Sequence, residues 1–182
     1  MRVRGRVTDT KPHGLGLADG TPLVIHDMIV DLLIQTPQFE IIEVETQMET
    51  RPFGICSDIL DDYQQLVGVS IARGYSRKVK ELFGGPGGCA HIGALLLAMG
   101  PVAIQASWSQ VTLHDDLADR LEIASDPKER ERRLRMNTNT CHVWAEDGPQ
   151  LTAVELGRSP LRPEWEIERL HSLGIDVGDQ PG

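Results

Sequence analysis

Aromatic residues are scarce in this chain: three Trp, two Tyr and three Phe make up 4% of its 182 residues. Hydrophobic content is nevertheless an ordinary 40%, so Ala, Val, Ile and Leu must fill the interior. Cysteine is rarer still, and its count of three is odd. That excludes a complete disulfide framework and leaves free thiols or metal ligands in a reducing compartment. Cations are in deficit, 18 Lys and Arg against 27 Asp and Glu, for a net charge of −9. Such a charge repels phosphate backbones. The basic cluster from Lys128 to Arg135 is interleaved with acids, as on an exposed helix face. Nucleic acid is therefore not expected as a partner. No N-terminal stretch joins a basic region, an apolar run and a cleavage site. The most apolar segment, Ile92 to Ala106, falls short of the roughly 20 residues that cross a bilayer. A cytoplasmic location without a membrane partner is the expectation.

What is present reads as strands followed by helices. Val3, Gly5 and Val7 alternate with Arg2, Arg4, Arg6 and Thr8, a period-two pattern for a half-buried or edge strand. Pro22 to Ile34 is rich in β-branched residues, Thr36-Pro37 breaks it, and Phe39 to Thr46 resumes, so two antiparallel strands are predicted there. Ile59, Leu60, Tyr63, Leu66 and Val67 recur at helical spacing behind a Ser57-Asp58 cap and stop at Gly68. A short helix follows from Ser76 to Phe83. A third starts at about Cys89, with Pro101 expected to bend or interrupt it. Asp126 to Arg135 reads as an amphipathic helix and Cys141 to Ala145 as a short strand. The predicted class is α+β: a small antiparallel sheet of about three strands with helices on one face. One domain is expected over 1–150, with a C-terminal tail carrying a short helix over 151–182.

The cysteines carry the strongest chemical signal, because none lies inside an apolar run where a structural cysteine usually packs. Cys56 follows Arg51-Pro-Phe-Gly-Ile, Cys89 closes Gly84-Gly-Pro-Gly-Gly, and Cys141 precedes His142. Cys56 and Cys89 fall at predicted helix N-termini, where the helix dipole favours a thiolate. His26, among Val24, Ile25 and Met28, needs a partner if it is buried, and a metal ion would supply one. His26, Cys56 and Cys89 are therefore the expected ligands of a zinc or iron ion. His91 lies two residues beyond Cys89, about 200° around a helix, so only an irregular first turn brings both to one ion. Otherwise His91 supports a ligand or sits in the core. Asp27, His91 and Lys11 are the candidate catalytic groups. Cys141 and His142 face opposite sides of a strand. The glycine run leaves room for a close approach of metal or ligand, but it matches neither a P-loop nor a dinucleotide fingerprint.

The string Asp9-Thr-Lys11, His26-Asp-Met28, Cys56, Gly84-Gly-Pro-Gly-Gly-Cys-Ala-His91 and Cys141-His142 resembles a bacterial family of domains of unknown function, DUF 2889, over nearly the whole chain. That resemblance implies a neighbourhood of aromatic-acid or steroid breakdown genes, and hence a small organic acid or thioester as substrate. More distantly, the order of Asp27, Cys56 and Cys89 is similar to the iron–sulfur cluster scaffold fold, where an aspartate and three cysteines converge on zinc or a cluster. Here Ile25 or His26 stands at the first cysteine, and Gly88 replaces a histidine. A cluster on two thiolates, His and Asp would be poorly supported, which favours a mononuclear ion over an iron–sulfur cluster.

Three functions stay open on the sequence. The first is a metal-dependent enzyme with an open coordination position, in which Asp27, His91 or Lys11 moves protons. The second is a non-catalytic metal or iron–sulfur carrier serving a partner oxidoreductase. The third is a metal-free cysteine nucleophile.

Overall fold

Strands β1 (Arg2–Lys11), β2 (Leu23–Gln35) and β3 (Glu40–Thr50) form one antiparallel sheet in the order β1-β2-β3. A computed structural model describes residues 1–14, 20–114, 127, 128, 131, 138–156 and 163–174, and for 108–114 and 154 it describes the backbone alone. A 3-10 helix (Gly54–Leu66), α1 (Tyr75–Phe83) and α2 (Ala90–His114) follow the sheet. This is the expected α+β arrangement. The chain divides into two compact units, Met1–His114 and Asp115–Gly182, a boundary earlier than the 150 read from the sequence.

Alternation along β1 and β2 assigns the two faces of the sheet. Val3, Val7, Met28, Val30, Leu32 and Ile34 belong to the core, together with Ile92, Leu96 and Met99 of α2. Gly5 stands in the same row, and a Cβ there would meet Met99 Sδ at 2.6 Å and Leu95 Cδ1 at 2.9 Å. A side chain at position 5 would make the Met99 and Leu95 side chains repack. In β3 the buried residues are Ile41, Val44 and Met48, a spacing that strict alternation does not give. The register shift between Leu33 and Ile34 is the reason, because that bulge puts Ile42 as an extra β3 residue against β2 between Ile41 and Val44, whereas Val44 and Met48 keep the alternation.

The opposite face of the sheet is ionic. Arg4 pairs with Asp31 through Nε (3.0 Å) and Nη2 (2.9 Å), and Arg6 Nε donates to Asp27 at 2.8 Å. Asp31 keeps only 2% side-chain exposure beneath its arginine. The hydrogen bond from Arg6 holds the Asp27 carboxyl below its ordinary 3.8, assisted by the positive charge and by Thr8 and opposed by burial. A carboxyl depressed in the folded state stabilises it above the unfolded value, and this contribution is lost as pH falls through the folded value. Urea unfolding of an Arg6→Met variant should therefore show a lower midpoint than the parent at about pH 7. The gap should narrow as pH falls through the lowered folded-state value of Asp27, below which the carboxyl is protonated in both states. A gap independent of pH would mean that Arg6 acts through packing alone.

The stretch expected as an α-helix from Ser57 is instead a 3-10 helix over Gly54–Leu66. It runs antiparallel to β3: the Thr46 hydroxyl donates to the Leu60 carbonyl, Gln64 Nε2 donates to the Val44 carbonyl, and Gly68 N–H donates to the Ile41 carbonyl. Tyr63 and Leu66 are its buried residues.

α2 continues through Pro101 to His114, so of the expected bend or interruption the interruption does not occur. It is long and apolar enough, by length and composition, to cross a membrane, and here Ile92, Leu96, Met99 and Ala103 are buried in the core. In the second unit, the expected strand at Cys141 is a 3-10 turn over His142–Trp144, followed by α3 (Pro149–Glu155) and α4 (Glu164–Ser172). Asn139 closes this turn: its N–H donates to the Trp144 carbonyl at 2.8 Å, and its Oδ1 accepts from Glu146 N–H at 3.1 Å. The expected helix over 126–135 lies largely outside the described residues.

Candidate metal centre

Asp9 and His26 are directly opposed across β1 and β2, and both are half-buried. His26 Nδ1 lies 3.1 Å from Asp9 Oδ2, with side-chain exposures of 18% and 45%. An ionised carboxylate only accepts, so Nδ1 carries the proton and donates it to Asp9. Irregular pairing flanks His26 on both sides. The β1–β2 register shifts between Asp9 and Thr10, and the β2–β3 register between Asp27 and Met28. Bulges of this kind turn a strand end and re-aim its side chains.

His91 comes from the first turn of α2. Its ring stacks on His26 with centroids 3.8 Å apart and planes 24° apart. Asp9, His26 and His91 thus offer one carboxylate and two imidazoles whose ligand atoms all lie within 4.8 Å of one another. Two ligand atoms about 2.1 Å from a tetrahedral ion stand about 3.4 Å apart, a few tenths of an ångström beyond the Asp9–His26 separation of 3.1 Å. An ion can take the place of the proton between them. Stacked rings do not aim in-plane lone pairs at one point, so coordination of a single ion by both would require one ring to turn about its Cβ–Cγ bond. His26 is held by Asp9, whereas among the described residues His91 has the stacking contact alone.

The structure brings two of the sequence-derived site residues, His26 and His91, together, and adds Asp9. Cys56 and Cys89 do not join this group; both are half-buried thiols packed against the apolar core. Asp27 points to the ionic face and is engaged by Arg6 and Thr8. Lys11 is exposed at the end of β1, beyond the bulge between Asp9 and Thr10. Cys141 is exposed in the second unit. The glycine run before α2 has a packing role: Gly85–Gly87 forms one 3-10 turn, and a Cβ on Gly88 would stand 2.5 Å from the Phe83 carbonyl oxygen. It folds the chain back tightly enough to deliver His91 to the sheet.

Asp9 and His26 share a face only through the strand register, which no single segment of the sequence displays. The signal that was available is the polar pair itself: Asp9 and His26 each stand in a row otherwise occupied by Val3, Val7, Met28 and Val30.

Comparison with known proteins finds no match among curated proteins or solved structures. One family model, described as "Protein of unknown function (DUF2889)", matches residues 1–105. The match covers more than half of the chain and includes Asp9, His26 and His91, and the chain belongs to that family.

Proposed function

We propose that this protein binds one divalent ion, zinc or iron, through Asp9, His26 and His91, and works in the cytoplasm as a metal-dependent enzyme on a small organic acid or thioester. The observation that carries the reading is the meeting of these three side chains, from β1, β2 and α2, within 4.8 Å at a half-buried spot. Two imidazoles and a carboxylate suit zinc and ferrous iron, and neither needs a thiolate. Three protein ligands leave a coordination position for water or a substrate oxygen, which the ion makes acidic or polarises. The half-burial of the site limits water while keeping a route for a small molecule.

Metal analysis of protein purified without oxygen, followed by a cobalt titration, tests the reading. The expected result is one ion per chain and a cobalt spectrum without the intense absorption of a thiolate ligand. Retention of no zinc, iron or cobalt, or a spectrum dominated by thiolate absorption, would remove the proposed ligand set.

A further inference from the structure

We infer that Tyr63 is a positioning residue for the metal centre: by holding the backbone amide of Cys89, it sets where α2 begins and therefore where His91 stands. The inference rests on the ligand assignment above. Tyr63 is fully buried, at 0% exposure. Its hydroxyl oxygen accepts the Cys89 N–H at 2.9 Å. The Cys89 carbonyl accepts from Gly93 N–H at 2.8 Å, which makes Cys89 the N-cap, Ala90 the first helical residue and His91 the second.

An N-cap amide has no partner inside its own helix. A Glu or Gln at the third helical position commonly reaches back to it, but that position here is Ile92. Tyr63, from the 3-10 helix beside β3, supplies the acceptor that α2 lacks. Its ring is itself fixed, lying 4.5 Å from the Phe83 ring at the end of α1. Gly88 packs against the backbone of that same Phe83. The end of α1, the glycine turn and the first residue of α2 therefore close around one phenol. His91 follows Cys89 by only two residues, so a shift of the amide moves its ring relative to His26.

Tyr63→Phe keeps the buried ring and removes the acceptor. In the metal-free protein, the nuclear Overhauser contacts between the His26 and His91 rings should weaken or vanish. In cobalt titrations the Kd should rise about tenfold to hundredfold, the range for losing a group that orients a ligand. Val79→Ala, in the buried face of α1, provides the control. It lowers stability without touching the Cys89 amide, and it should keep both the ring contacts and the cobalt Kd within about twofold of the parent, well short of that range. Unchanged ring contacts and affinity in Tyr63→Phe would overturn the inference, as would equal losses in Val79→Ala. Should the parent protein bind no cobalt, the ligand assignment fails by itself. The ring contacts alone then decide the role of Tyr63: their loss in Tyr63→Phe supports it and their persistence overturns it.

Discussion

His26→Ala and His91→Ala variants bind cobalt at least about a hundredfold more weakly than the parent, because losing even a group that merely orients a ligand costs tenfold to hundredfold. Cys56→Ser and Cys89→Ser retain parental affinity. This contrast separates the imidazole–carboxylate set from the cysteine-containing set that the sequence suggested, His26 with Cys56 and Cys89. Thermal unfolding gives a second reading of the same prediction. An ion that binds only the folded state, present at a hundred times its Kd, stabilises that state by about 2.7 kcal/mol. The midpoint of the parent and of the two serine variants should rise on adding metal, while that of the histidine variants should not. Far-UV circular dichroism verifies that each variant is folded. If the serine variants lose the ion and the alanine variants keep it, the ligands are the thiols.

Leu32→Ala should cost about 2–5 kcal/mol, whereas Leu33→Ala, one residue along the same strand, should cost far less. Leu32 is at 0% exposure in the layer between sheet and helices. Leu33 is half-buried on the ionic side, paired across from Arg2 and Glu43. Neighbouring residues in a strand project to opposite faces, so a slip of one position would exchange their roles. Domains are stable by about 5–15 kcal/mol in total, which makes the first substitution a large fraction of the whole. Urea denaturation of both variants measures the difference, and equal losses would contradict the register.

The sheet was legible in the sequence because its signals are local. Arginine–valine alternation marks β1, and the β-branched run from Leu23 to Ile34 marks β2. Thr36-Pro37 marks the turn between β2 and β3. The α1 boundaries were legible for the same reason, since Gly84 stops a short amphipathic run. What escaped depends on partners distant in the chain. The 3-10 segment Gly54–Leu66 makes its hydrogen bonds to β3, and Ile59, Leu60, Tyr63 and Leu66 fit an α-helical stripe equally well when read alone. Pro101 was read as a bend or an interruption, and α2 carries it uninterrupted between the buried Met99 and Ala103, where tertiary packing outweighs a missing N–H. In the candidate site, the two-residue spacing of Cys89 and His91 correctly implied that a regular helix start presents only one of them to a given point. That the imidazole is the one facing His26 depends on the sheet register and on the glycine turn, and neither can be read from spacing.

The 3-10 helix also constrains how this protein can change in length. With three residues per turn, every third side chain returns to one line, as Ser57, Leu60, Tyr63 and Leu66 do. Gaining or losing three residues ahead of Tyr63 shifts the register by about 6 Å but keeps a buried position on the same line facing inward. Gaining or losing one rotates everything downstream by about 120° and swings an aspartate or glutamine inward. Natural length variation in this segment should accordingly come in triplets.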